Sequence, residues 1–249
     1  MLMEQDRITR IEEAALNAWP APRQMVYDGW LLRFTGGPSK RVNSVNVFYP
    51  SSLPLAEKIA FCEAVYALAA QPPLFRVPVP FSTPDLVQSL LKAGYHAFDE
   101  THVLTRELDD TEPVPEGLRV ETFSIDEWIP YKGLISDAEP HPLALQQQIL
   151  HCIVPEKRLI VLFAGDRPVA CGMGALEGDF LGYFSIYTQH DARRKGYARV
   201  VMSALTAWGL QQGATLGYLQ VEGFNQPAKA LYRQLGFELC YPYEYYKKE

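Results

Sequence analysis

Between residues 181 and 199 the chain reads LGYFSIYTQHDARRKGYAR. A strand-like run ends near Thr188, a short polar turn follows, and a helix begins near Gly196. Four of the seven residues from Arg193 to Arg199 are basic, in a chain whose net charge is −6. The first amides of a helix lack intrahelical partners and carry a partial positive charge. Gly196 lets a ligand approach the backbone and Ala198 keeps the next position small, so the segment reads as a phosphate cradle. The same residues would equally serve as a charged helix start that aids solubility. Further on comes LQVEGFNQPAKALYRQLGF, residues 219–237. It reads as a strand, an Asn225 cap, a helix with Pro227 in its first turn, and a stop at Gly236. Tyr232 lies on the second turn of that helix. Glu222, Glu177 and Asp179 are carboxylates beside these segments.

These residues need elements to hold them. Apolar spacing predicts a first helix through Ile8, Ile11, Ala15 and Leu16, ended by Trp19-Pro20. Strands follow at Gly29–Phe34 and Val42–Tyr49, a helix at 55–70, a strand at 74–79, a helix from Pro84 to Ala93 and a strand at 96–108. The acidic, proline-containing stretch DDTEPVPEG at 109–117 reads as a linker. Beyond it are a strand at 118–123, helices at 125–135 and 142–153, and strands at 159–164, 168–175 and 180–188. A helix at 197–212, a strand at 215–221, the Asn225 helix and an extended segment at 237–246 complete the chain. LLKAGY at 90–95 and YRQLGF at 232–237 each end a helix at glycine and continue into strand, 142 residues apart. An internal duplication and a common helix-ending pattern both fit that observation.

At 249 residues with 48% hydrophobic and 21% charged residues, the chain has the composition of one or two globular domains. Its acidic balance argues against non-specific nucleic-acid binding. No apolar run reaches the roughly 20 residues that span a bilayer, and the N-terminus lacks a signal pattern; a cytoplasmic protein is expected. Cys62, Cys152, Cys171 and Cys240 match no zinc spacing, and their apolar contexts predict buried free thiols. No metal site is expected.

The combination of Arg193, Gly196 and Ala198 with Asn225, Ala228, Leu231, Tyr232, Gly236 and Phe237 resembles the GCN5-related N-acetyltransferase (GNAT) superfamily over about residues 118–249. Residues 1–108 resemble it more faintly. They lack Arg-x-x-Gly-x-Ala before the helix at Leu55, where the sequence is YPSSLPLAEK, and Leu90 stands where Tyr232 stands in the second copy. The resemblance implies an α/β (α+β) fold of two tandem GNAT-like domains, each a mixed, mostly antiparallel sheet flanked by helices. Residues 1–108 would be a degenerate copy, 109–117 a linker and 118–249 the catalytic domain. It implies acetyl-CoA as co-substrate. Ile186, Tyr187 and Thr188 would pair with the pantetheine arm, Arg193, Arg194, Lys195, Gly196, Tyr197 and Ala198 would cradle the pyrophosphate, and Asn225 and Tyr232 would lie beside the cofactor. Tyr232 would be the acid, or else a packing ring, and Glu222, Glu177 or Asp179 a candidate base, or else a surface carboxylate. Tyr183, Ser185 and the aromatic tail at 241–246 would line the acceptor side or belong to the core. The expected partner is a small-molecule or peptide amine, with no nucleic acid or membrane, bound by a monomer or homodimer. The competing expectation is a non-catalytic acyl-CoA sensor or scaffold.

Overall fold

The computed structural model describes residues 2–248. In chain order the elements are α1 (Leu2–Asn17), β1 (Arg23–Tyr27), β2 (Trp30–Phe34), β3 (Val45–Val47), α2 (Leu55–Leu68), β4 (Phe75–Pro78), α3 (Pro84–Lys92) and β5 (His96–Glu107). There follow β6 (Leu118–Phe123), α4 (Ile125–Ser136), α5 (Pro140–His151), β7 (Glu156–Ala164), β8 (Arg167–Glu177), β9 (Phe180–Thr188), α6 (Tyr197–Gln211), β10 (Leu216–Glu222), α7 (Gln226–Gln234) and β11 (Glu238–Lys247). Among the described residues no helix is long and apolar enough to cross a membrane.

The chain divides into two compact units that do not follow its linear order. Unit 1 holds the N-terminal segment through Pro20, Leu104–Gln220 and Pro227–Glu238; unit 2 holds Ala21–Val103, Val221–Gln226 and the segment from Leu239. Thus α1 groups with later elements and β11 with earlier ones, across the 109–117 stretch that reads as a linker.

Each unit carries a mixed sheet flanked by helices. In unit 1 the order is β10-β9-β8-β7-β6, with the end of β5 beside β10. In unit 2 it is β1-β2-β3-β4-β11, with the start of β5 beside β11. Through β1-β2-β3-β4 the pairings are antiparallel, antiparallel and parallel, and the same succession holds through β7-β8-β9-β10. The runs β1-β2-β3-α2-β4-α3-β5 and β7-β8-β9-α6-β10-α7-β11 therefore share element order and strand direction, the architecture of a tandem protein.

The α3 and α7 ends show what the repeated helix–Gly–aromatic pattern does. In α7 the Phe237 amide bonds the Tyr232 carbonyl at 3.0 Å and the Gly236 amide bonds the Arg233 carbonyl at 3.0 Å, with Gly236 at φ +81°. In α3 Tyr95 bonds Leu90 at 2.9 Å and Gly94 bonds Leu91 at 3.0 Å, with Gly94 at φ +87°. Both are six-to-one, five-to-two helix stops, with the glycine supplying the left-handed residue.

Two expectations are corrected. Strand β1 was not anticipated by periodicity, although Asp28-Gly29 carries its signal: both residues have positive φ between paired Tyr27 and Trp30, a tight two-residue hairpin. A side chain at Gly29 would meet the Pro50 carbonyl oxygen at 2.5 Å. Among the cysteines, Cys62 and Cys171 are buried, but Cys152 is exposed and Cys240 half-buried. Cys152 directly follows the last residue of α5, where apolar neighbours do not imply burial; Val154 is itself exposed.

Candidate active site

The site is built in unit 1 from the end of β9, the start of α6 and the α7 helix. Helix α6 is seated first. Val201, Leu205 and Trp208 are fully buried, and they lie over Gly172 and Gly174 of β8, where any side chain would collide with them. That close packing fixes where α6 begins relative to β9.

Strand β9 keeps β8 along its whole length but loses β10 part-way. It runs parallel to β10 from Phe180↔Leu216 to Tyr183↔Leu219, where that register ends, while β9 continues to Thr188. On its other side a register shift opposite Cys171–Met173 coincides with Ser185 at φ +51°, a bulge that turns the strand. Ile186, Tyr187 and Thr188 thus lie where β9 and β10 have parted, the geometry that strand-addition recognition uses.

After Thr188 a short turn at His190–Ala192 leads into Arg193, Arg194 and Lys195, all exposed. Arg194 has φ +66° and Gly196, the cap of α6, has φ +81°. The helical ladder begins with the Val200 amide on the Gly196 carbonyl at 3.2 Å, so the amides before it open the helix. A side chain built at Gly196 would meet nothing within 4 Å. The cradle is therefore open above its glycine, and the residues present fit a bound pyrophosphate: exposed amides, local positive charge and room for close approach.

Tyr232 is half-buried on α7. Its ring meets Phe237 edge-on at 6.1 Å, and Phe237 meets Tyr183 at 5.6 Å. The Tyr183 hydroxyl is 2.7 Å from Thr206 Oγ1 of α6. This chain of rings couples α7 to α6 across β9. Burial pushes the Tyr232 phenol up to about 12, and the neighbouring Tyr187 adds to the rise. A phenol so placed keeps its proton.

The structure separates the remaining candidates. Tyr183 is buried in that aromatic column. Ser185 Oγ takes a hydrogen bond from Gln146 Nε2 of α5 at 3.0 Å. Glu177 accepts from Asn17 Nδ2 at 3.1 Å, and Asp179 pairs with Arg10 at 2.7 Å. Both lie by the start of β9, roughly 30 Å of extended strand from Thr188, and are engaged with α1. Tyr241, Tyr243, Tyr245 and Tyr246 are core residues of unit 2. Glu222, exposed, and Asn225, just before α7, fall in the 221–226 segment of unit 2. A turn closes between them, the Asn225 amide on the Glu222 carbonyl at 2.9 Å.

Lys132 carried no signal in the sequence beyond its helical spacing from Trp128, four residues earlier. Trp128 Nε1 bonds the Ile160 carbonyl at 3.0 Å and fixes that face of α4 on β7, and Lys132 is buried on the same face.

In unit 2 the turn that leads into the corresponding helix is occupied by a side chain of this protein. The Asp28 carboxylate accepts the Ser52 and Leu53 amides at 3.0 and 2.9 Å, and Ser52 Oγ at 2.8 Å. These groups stand just before α2, the counterpart of α6.

Solved structures with this fold include GCN5-related N-acetyltransferases. One from Kribbella flavida superposes with a TM-score of 0.73 at 18% identity, covering 96% of this chain and 95% of that one. A tandem GNAT protein from the clavulanic acid biosynthesis pathway gives 0.68 at 13%, covering 94% and 86%. At the sequence level the chain is 27% identical over 241 residues to "Uncharacterized N-acetyltransferase YobR" of Bacillus subtilis (strain 168), covering 93% of this chain and 95% of that protein. The chain belongs, within the GNAT superfamily, to the acetyltransferase family described as "Probable histone acetyltransferase Rv0428c C-terminal", whose model matches residues 6–246.

Proposed function

We propose that this chain transfers an acetyl group from acetyl-CoA to a primary amine of a small molecule or peptide, in the cytoplasm, by direct attack of the amine. The observation that carries the reading is the junction in unit 1 where β9 outruns β10 and leads into the open, Gly196-capped start of α6, with protonated Tyr232 near Tyr187. Acetyl-CoA supplies the activated thioester carbonyl. The backbone of Ile186–Thr188 would bind the pantetheine arm, and the amides and charges of Arg193–Ala198 would hold the pyrophosphate. Asn225 would start α7 and steady the arm.

Tyr232 would keep a proton on Oη for the sulfur as the carbon–sulfur bond breaks. A phenol held near 12 is charged only far above neutral pH, so the donor form is always present. The amine must arrive neutral, and Glu222 or a water beside it would take the proton it loses.

The test is release of free thiol from acetyl-CoA with a panel of amino acids, polyamines, aminoglycosides and peptides. Amine-dependent release supports transfer. Tight acetyl-CoA binding with no release for any amine would instead make the protein an acyl-CoA sensor.

A further inference from the structure

Among the described residues two lysines are buried against aromatic rings, and they differ in one respect. Lys58 on α2 is fully buried, with Nζ 3.9 Å from the Trp30 ring centroid and hydrogen-bonded to Ser51 Oγ. The Asp28 carboxylate lies 3.2 Å away and balances its charge. Lys132 on α4 is 4% exposed, with Nζ 3.9 Å from the Tyr187 ring centroid and 2.8 Å from Ser136 Oγ. Ring and serine are matched; the carboxylate is not. Among the described residues no Asp or Glu forms an ion pair with Lys132; burial pulls its ammonium below the usual lysine value, and the one group opposing that pull is the Cys171 thiol, itself pushed up to about 12 by burial and so uncharged.

A buried ammonium without an anion bears an uncompensated desolvation cost, which a ring face and one hydroxyl offset only in part. The ammonium still has donor capacity to spend, since Nζ carries three and Ser136 uses one. Its cover is thin: Tyr187 is 44% exposed. Its location is beside the end of β9. Tyr187 lies next to the end of β9, just past the Ser185 bulge, and close enough to Tyr232 to influence it.

We propose that Lys132 is the anchor for a carboxylate carried by the acceptor, which makes the acceptor an amino-acid-like amine rather than a polyamine or aminoglycoside. The inference rests on the acetyl-transfer reading for the words "acceptor" and "amine", but the anion site itself does not depend on turnover. Tyr187 would move aside or stack on the incoming group, and the carboxylate would take the place at Lys132 that Asp28 takes at Lys58. The amine of a short amino acid held there would lie near the end of β9, on the Tyr232 side.

The experiment compares acceptors that differ only by the carboxylate, lysine with cadaverine and tyrosine with tyramine, in the full-length protein and in Lys132→Met and Lys132→Arg. The native protein is expected to favour the acid of each pair by at least tenfold in kcat/KM. Lys132→Met should erase that preference through KM of the acid, with kcat moving less, and Lys132→Arg should restore part of it. Met matches the length of the lysine stem without its charge, so a thermal midpoint equal to or above the native one is expected and folding does not cloud the result. Equal use of acid and amine by the native protein, or a preference that survives Lys132→Met, would overturn the proposal.

A second measurement works without catalysis: calorimetric titration with benzoate. Binding to the native protein that is lost in Lys132→Met supports the anion site even if no amine releases thiol. Where no amine releases thiol, absence of benzoate binding overturns it. Acetyl-CoA binding, measured in parallel, reports on the transfer reading separately.

Discussion

Tyr232 has two jobs that a single substitution can separate. As the third residue from the end of α7 it offers its carbonyl to the Phe237 amide, and its ring packs against the Phe237 ring. Both contacts survive in Tyr232→Phe, which removes only Oη. The helix end and its hold on Phe237 should therefore persist, and acetyl-CoA affinity should change little. The lost proton donor matters when charge gathers on sulfur, so kcat and kcat/KM should fall together. General acid help is typically worth about 100- to 10,000-fold, and the lower end is expected because a thiolate already leaves readily. The sign of the pH effect follows from the same site. A phenol raised to about 12 holds its proton at every pH below that, so the native and Phe variants should show rate profiles of the same shape, offset in height. Steady-state kinetics beside an acetyl-CoA isotherm decide the matter; native kcat in the Phe variant would leave Tyr232 as a packing ring.

At the scale of elements, the turn before α2, occupied by Asp28, is the sharpest contrast with the open start of α6. The Leu53 and Ser52 amides, followed by the Ser52 hydroxyl and Lys58, hold the Asp28 carboxyl well below the ordinary carboxylate range. A group depressed in the folded state adds stability above its unfolded value, about 3.9, and loses it as pH falls through the folded value. Asp28→Asn should therefore lower the urea midpoint at neutral pH, and the gap from the native protein should narrow below about pH 4, where the unfolded native chain takes up its proton. A gap that stays constant down to acid pH would mean that the carboxylate charge is not what holds the turn before α2. This network also marks the limit of what the sequence shows. Strands 118–123 and 180–188, and the helix stops at Gly94 and Gly236, were legible because periodicity and glycine punctuation are local. The cradle was legible because its whole motif sits on consecutive residues. Asp28 and Lys58 are 30 residues apart in sequence and meet through a hairpin, and Lys132 looks like any solvent-facing helical lysine until Trp128 fixes which face is buried. Residues brought together by tertiary packing leave no periodic trace.

At the scale of the whole molecule, two runs of the same topology differ at one functional place. In the first, the turn before α2 is filled by Asp28, and Leu90, fully buried in the unit 2 core, stands where α7 carries Tyr232. In the second, Gly196 is open and Tyr232 keeps its phenol. Asp28 already occupies the Ser52 and Leu53 amides of that turn, and its charge would repel a pyrophosphate brought to the start of α2. Calorimetry on the intact chain should therefore give one acetyl-CoA per molecule, and two equivalent sites would overturn this account of the first copy. The intact chain is the right sample, because the compact units exchange their end segments. A fragment of residues 118–249 would lose α1, whose Arg10 and Asn17 hold Asp179 and Glu177. It would keep β11 without its partner β4, although Tyr243↔Pro78 to Tyr246↔Phe75 is where that strand pairs. Tyr243, Tyr245 and Tyr246, all buried in the intact protein, would stand on an open strand edge. Such a fragment is expected to aggregate or to melt without a cooperative transition. A monodisperse fragment with a sharp melt and unchanged acetyl-CoA affinity would instead show that the second copy is self-sufficient and that α1 and β4 only accompany it.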